Sequence, residues 1–288
     1  MSASRKIEQL HSDGADLALH SWMPRNPRAA VFYLHGLQSH AGWSWQFGEY
    51  LGRRGVALFV LDRRGSGLSG GVRGDYASLD SLAYDYHVAY NHMLALLEDK
   101  QNVTLFGHCL GGSLLGGLLA KGGVFSNYRS FVFCSTWLGR LHAVLSPEER
   151  SIIAGERSTE LVDVDLKAHD FTDVKKYLDF ISSDPLSIKC ITARSRALFL
   201  EIEQIYLERG IDSGAASAHY IISSTDPIVN HQASFEVFNA ITRNAGFLSV
   251  IPTNKHYIPF TDAREVLFKR TESIALEHHP TGWTHPVG

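Results

Sequence analysis

Six short runs of nearly unbroken apolar residues punctuate the chain: Ala30–Leu34, Val56–Leu61, Val103–Phe106, Ser130–Cys134, His219–Ser223 and Phe247–Ile251. Their length, their Val, Ile and Phe content and their lack of polar alternation predict strands covered on both faces, as in a parallel sheet. Between them the period changes. Leu82, Tyr86, Ala89, Tyr90, Met93 and Leu97 recur every three or four residues, which predicts an amphipathic helix with Asp80 as its N-cap. Strand alternating with helix predicts an α/β fold with a mostly parallel central sheet and helices on both faces. From 140 to 210 the strand signal disappears, and helical stretches such as Phe171–Phe180 and Ala197–Arg209 replace it. Residues 140–210 are therefore expected to form a helical cap inserted into a core made of residues 1–139 and 211–288.

The pattern is most specific at Gly107-His108-Cys109-Leu110-Gly111, directly behind one apolar run and directly before the small-residue stretch Gly112–Ala120. Strand, sharp turn and helix in that order make a nucleophile elbow: the apex side chain is thrust out of the sheet, and its neighbours two residues away must be small for strand and helix to pass. Gly107 and Gly111 satisfy this, and Cys109 takes the apex, a place where a merely buried small hydrophobe is the weaker reading. An elbow nucleophile needs an orienting acid and then a base on loops after later strands. Asp226 follows the run His219–Ser223 and is stopped by Pro227, and His256 follows Phe247–Ile251. Asp262 is the nearest competitor for the acid. The backbone N–H groups of Leu37, behind the His35-Gly36 turn, and of Leu110, at the elbow, are the expected oxyanion donors. Imidazolium at His256 and the positive end of the elbow helix would lower the thiol pKa. His108 and Trp137 are candidate substrate contacts, and Trp43 and Trp45 flank the same loops.

Composition narrows the function. A net charge of −3 over 288 residues, with both signs interspersed, leaves no basic stripe for nucleic acid. The start of the chain lacks the apolar stretch of a signal peptide and no run reaches a membrane span, so a cytoplasmic protein without integral membrane association is expected. Cys109, Cys134 and Cys190 are spaced for neither a zinc site nor a disulfide framework, and free thiols are expected. No metal and no cofactor is required. His278, His279 and His285 read as a solvated tail, and Gly65-Ser66-Gly67-Leu68-Ser69-Gly70 imitates a dinucleotide fingerprint without a helix opening inside it.

With these motifs the chain resembles the α/β-hydrolase superfamily, in its monoacylglycerol lipase and lysophospholipase-like branch. The carriers are His35-Gly36, Asp62-Arg63-Arg64-Gly65-Ser66-Gly67-Leu68-Ser69, the elbow, Asp226, His256 and the cap motif Asp184-Pro185-Leu186. The resemblance implies that fold and a serine at the apex. Here the apex is cysteine, and Gln38-Ser39-His40 only partly follows the branch's pattern. A thiolate adding to an alkyl ester is expelled more easily than the alkoxide, so thioesters, enol esters and activated lactones suit Cys109 better than glycerides. The expected function is therefore an acyl-transfer enzyme that hydrolyses an ester or thioester through Cys109, His256 and Asp226. The alternatives are an acyltransferase drawing on a carrier-protein or coenzyme A thioester, and a ligand-binding protein without chemistry. The expected partner is a small acyl substrate, enclosed beneath the apolar residues around Leu186 to Tyr206 unless these only pack the cap onto the core.

Overall fold

The computed structural model describes residues 4–100 and 102–277, so the three tail histidines lie outside the described residues. An eight-stranded sheet in the order β1-β2-β4-β3-β5-β6-β9-β10 carries the fold. It comprises β1 (Arg5–Ser12), β2 (Ala15–Trp22), β3 (Ala29–Leu34), β4 (Val56–Leu61), β5 (Val103–His108), β6 (Tyr128–Cys134), β9 (Ser217–Ser223) and β10 (Gly246–Ile251). From β4 through β10 every pairing is parallel, whereas β1–β2 and β2–β4 are antiparallel. This is the α/β-hydrolase fold.

The strands divide the core as a pleated sheet must, successive side chains facing opposite layers. Ala30, Phe32 and Leu34 of β3 pack with α2 (Leu79–Ala95), α3 (Leu110–Lys121) and α9 (His231–Ile241), while Val31 and Tyr33 pack with α1 (Trp45–Arg53) and α10 (Arg264–Leu276). Between β6 and β9 the chain forms α4 (Arg140–Val144), α5 (Pro147–Ala154), α6 (Ala168–Phe171), α7 (Lys175–Ser183) and α8 (Ala193–Arg209), with α8 lying against α3.

The structure adds one element that the sequence reading did not assign and departs from that reading at three others. The polar amino-terminal stretch is half of a β-hairpin whose Asp13-Gly14 turn has φ of 40° and 72°, the left-handed conformation that such two-residue turns require. The helix α2 is capped by Ser78, whose side chain accepts from the Ser81 amide, and Asp80 lies in its first turn instead. The segment expected to lack strands contains the antiparallel ribbon β7 (Leu161–Asp163) with β8 (Cys190–Thr192), too short to leave a periodic signal. Finally, β10 is not covered on both faces: it is an edge strand, and Phe247, Leu248 and Val250 are exposed.

Candidate active site

The site begins with backbone strain. Cys109, between β5 and α3, has φ 53° and ψ −124°, a region costing a non-glycine residue roughly 1–3 kcal/mol. Its amide is anchored to the Cys134 carbonyl at 3.0 Å. Glycines on either side make room: a Cβ on Gly107 would lie 2.5 Å from the Gly112 Cα, and one on Gly111 would lie 2.0 Å from the Leu34 carbonyl oxygen.

Facing the elbow is the loop after β3. His35 and Gly36 are held by Arg63, a fully buried arginine whose guanidinium donates to the His35 and Gly36 carbonyls, each at 3.1 Å. His35 donates through Nδ1 to the Gly36 carbonyl at 2.8 Å and accepts the Arg63 amide at Nε2 at 3.0 Å, which fixes its tautomer. Burial and the Arg63 charge lower its pKa to about 3, so it is neutral. This clamp fixes the loop that carries the Leu37 amide, and the amides of Leu37 and Leu110 both interact with the Cys109 sulfur.

The loops after β9 and β10 deliver the other two groups. Asp226 accepts the amides of Ile228 and Val229 at 2.8 and 3.1 Å, and His256 donates through Nδ1 to its two carboxylate oxygens at 2.9 and 3.2 Å. Both side chains are fully buried. Nε2 of His256 has no hydrogen bond of normal geometry, yet its strongest charged neighbour is the Cys109 sulfur. A loose contact of this kind is common in unliganded sites and tightens when charge develops. Burial alone would lower the His256 pKa, but the sulfur and Asp226 together raise it to about 10. Burial likewise opposes ionisation of Cys109, and His256 with the two amides pulls the thiol below its ordinary value. Burial would raise Asp226, and His256 and the amides hold it below the usual carboxylate range. Cys109 and His256 therefore titrate as a coupled pair, the charged form of each favouring that of the other.

That arrangement fixes a pH dependence. The thiolate is populated above the lowered thiol pKa, and the imidazolium survives until about pH 10. Alkylation of Cys109 by iodoacetamide is expected to show its inflection below the pH of roughly 8.5 at which a free thiol is half ionised. Asp226→Asn lowers the imidazole pKa, weakens the imidazolium and moves the inflection to higher pH. An inflection unmoved by that substitution would refute the coupling.

The other predicted residues divide. Leu37, Leu110 and Trp137 line a cavity of about 100 Å³ that opens onto Cys109 and His256. His108 does not: it is 1% exposed, sits behind His256 with Nε2 3.4 Å from that residue's carbonyl oxygen, and is neutral because burial and the His256 charge lower its pKa to about 3. The elbow's alternation turns it under the sheet edge, away from substrate. Trp43 is fully buried and packs with Phe171, Tyr257 and Phe260, and Trp45 is half-buried at the edge of that cluster. Trp43 also donates to Asp184 at 2.6 Å, beside His40 at 3.0 Å, so Asp184 ties the segment between β6 and β9 to the stretch that follows β3. Asp262 is exposed and is passed over in favour of Asp226. The imitation fingerprint wraps Asp62: the Leu68 amide donates to that carboxylate at 2.8 Å, and a Cβ on Gly67 would lie 2.2 Å from it. Gly67 thus makes room for a carboxylate of the protein's own.

Sequence reasoning missed the role of Arg63 and passed over Glu203. Arg63 follows a wholly apolar strand, and a charge in that position was the available signal. Glu203 shares the buried stripe Phe199, Ile202, Glu203 and Tyr206 of α8, where a carboxylate on an apolar face is out of place.

An eight-stranded, mostly parallel sheet with an elbow between β5 and α3 defines an α/β-hydrolase enzyme. More narrowly, the chain belongs to the serine aminopeptidase S33 family, whose pattern matches residues 25–262. It is 32% identical over 106 residues to an uncharacterised abhydrolase-domain protein of Dictyostelium discoideum, a match covering 36% of this chain and 11% of that protein. It is 30% identical over 107 residues to a monoacylglycerol lipase of Mycolicibacterium smegmatis, covering 35% of this chain and 36% of the lipase. The matches thus span well under half of these relatives' lengths. In structure it is similar to a soluble variant of monoglyceride lipase from Saccharomyces cerevisiae solved with a substrate analogue, with a TM-score of 0.79, 16% identity and 96% of each chain covered. Among the described residues no helix is long and apolar enough to cross a membrane.

Proposed function

We propose that the protein is an acyl-transfer enzyme that hydrolyses an ester or thioester through Cys109, His256 and Asp226. The observation that carries this reading is a strained cysteine facing two backbone amides beside a buried histidine–aspartate pair. Nothing in core packing requires that combination. The Cys109 thiolate attacks the substrate carbonyl and forms a carbon–sulfur bond, and the amides of Leu37 and Leu110 stabilise the oxyanion, each such donor being worth roughly 2.7–4 kcal/mol of barrier. As the carbon–leaving-group bond breaks, the His256 imidazolium gives its Nε2 proton to the leaving group. Neutral His256 then takes a proton from water, hydroxide attacks the thioester acyl-enzyme, and the thiolate leaves to restore the ion pair. Asp226 keeps Nδ1 protonated throughout. Thioesters are favoured over alkyl esters, because in their tetrahedral intermediate the two sulfurs compete evenly.

Full burial of the His256 and Asp226 side chains supports a second reading, transfer to a non-water acceptor from a coenzyme A or carrier-protein thioester, since restricted water access lengthens the life of the acyl-enzyme. Intact-protein mass spectrometry with acetyl and butyryl thioesters and matched p-nitrophenyl esters separates the two. Release of acid in water, with at most a transient adduct on Cys109, is the expected result. A lasting adduct discharged only by an added amine, alcohol or thiol would establish transfer, and absence of both adduct and turnover would overturn acyl chemistry.

A further inference from the structure

The cavity that receives the acyl group in this reading is not wholly apolar. Leu37, Leu141, Leu166 and Phe199 contribute to its wall, but Ser113, Arg140 and Glu203 do too. Glu203 is 4% exposed, and a buried carboxylate needs partners. Its Oε2 has three: the Leu141 and His142 amides at 2.9 and 3.2 Å and His142 Nδ1 at 3.1 Å. Its Oε1 accepts no hydrogen bond from the described residues, although Glu203 borders the cavity. Ser113 stands one helical turn beyond the elbow on α3, and its Oγ is 3.2 Å from the Tyr206 hydroxyl. Tyr206 also accepts the Gly139 amide at 2.8 Å, and when it gives its own proton to Ser113 the serine proton is free to turn towards the cavity.

We propose that Glu203 and Ser113 form a polar subsite that selects acyl chains bearing a hydroxyl group, the hydroxyl donating to Glu203 Oε1 and accepting from Ser113. The inference rests on the acyl-transfer reading and adds the class of acyl group. A neutral hydroxyl fits better than an ammonium because Arg140, whose guanidinium lies 5.3 Å from the Trp137 ring centre, borders the same cavity and would repel a second cation. A wholly aliphatic chain would strip Oε1 of water and return nothing, leaving a buried acceptor unpaired. The subsite therefore discriminates by penalising the wrong chain as well as by holding the right one.

Glu203→Gln keeps the shape and lets the amide oxygen take over the contacts of Oε2, which turns the amide N–H₂ towards the cavity as a donor. Binding of non-cleavable amide analogues of butyryl, 3-hydroxybutyryl, 4-hydroxybutyryl, 3-oxobutyryl and 3-aminobutyryl chains is measured by calorimetry, and kcat/KM is measured with the matching thioesters. The parent protein is expected to prefer a hydroxylated chain to butyryl by at least about 10-fold, the lower end of what one satisfied buried partner gives. Glu203→Gln is expected to move the preference to 3-oxobutyryl, a reversal that mere damage to packing would not produce. Should Glu203→Gln fail to fold, Ser113→Ala is expected to reduce the hydroxyl preference several-fold. Equal binding of butyryl and hydroxybutyryl analogues by the parent protein, or preference for the amino chain, would overturn the subsite. Since the calorimetric arm needs no catalysis, selective binding without thioester turnover would sink the acyl-transfer reading and leave the subsite standing.

Discussion

Cys109→Ala is expected to abolish acyl-enzyme formation and lower turnover by about 10⁴-fold or more, the scale seen when a nucleophile that works as a unit with its base is removed. The substitution removes one sulfur from a half-buried position and leaves the strained backbone, so the fold should persist and the loss should fall on kcat. Cys109→Ser tests the chemistry more sharply. The raised pKa of His256 owes its largest favourable contribution to the Cys109 sulfur, so a serine hydroxyl, which does not ionise at neutral pH, withdraws most of that support. His256 then rests neutral near neutrality and acts as a general base, as the triad with serine requires. Alkyl esters should gain relative to thioesters, because oxygen no longer loses the competition to leave. Measured with paired p-nitrophenyl esters, alkyl esters and thioesters, a rate unchanged in Cys109→Ala would remove Cys109 from the mechanism. A serine variant that alone turns over alkyl esters would make the cysteine a departure from an ancestral serine esterase.

Gly111→Ala is expected to cost about 3 kcal/mol or more in stability, the upper range for overpacking, because the added methyl would sit 2.0 Å from the Leu34 carbonyl oxygen and 2.6 Å from that of His35. Both obstacles are backbone, one at the end of β3 and one at the start of the loop that carries Leu37, so relief by a side-chain rotation is impossible. At roughly 2–4 °C per kcal/mol the melting temperature should fall by about 6–12 °C. Gly123→Ala is the control: its φ is +77° and no atom lies within 4 Å, so only the left-handed conformation is penalised, at roughly 1–2 kcal/mol. Equal melting temperatures for the two variants would show that the elbow is not packed as tightly as these distances require.

The elbow was legible because it is local. Strand, apex and helix are contiguous, and the glycines record the contact between them. Asp226 and His256 were legible for a related reason: chain order and the position of loops after strands limited the choice, and burial of their side chains with Nδ1 at 2.9 Å from Asp226 Oδ2 agrees with that choice. His108 shows where locality stops helping. Adjacent to Cys109 in sequence, it points the other way, because neighbouring residues at a strand end face opposite sides. The amino-terminal hairpin was readable from its Asp13-Gly14 turn but was obscured by an edge strand whose polar residues mask its alternation. For β10 the composition of a buried strand occurs at a sheet edge, and nothing within six residues distinguishes the two settings.

The sequence by itself determined the alternation of strand and helix, the elbow with cysteine at its apex, and the positions of Asp226 and His256 on loops after later strands, since each is written in local periodicity or in residues that stop a strand or allow a sharp turn. The tertiary structure decided what depends on groups far apart in the chain. Arg63 clamps the His35-Gly36 turn, Asp184 joins the segment between β6 and β9 to His40 and Trp43, and Glu203, bonded among the described residues through Oε2, borders the cavity beside Ser113 and Arg140. The perturbed ionisation of Cys109 and His256 belongs to the same class. Burial and Coulomb interactions are set by distance in space, and a sequence states only distance along the chain.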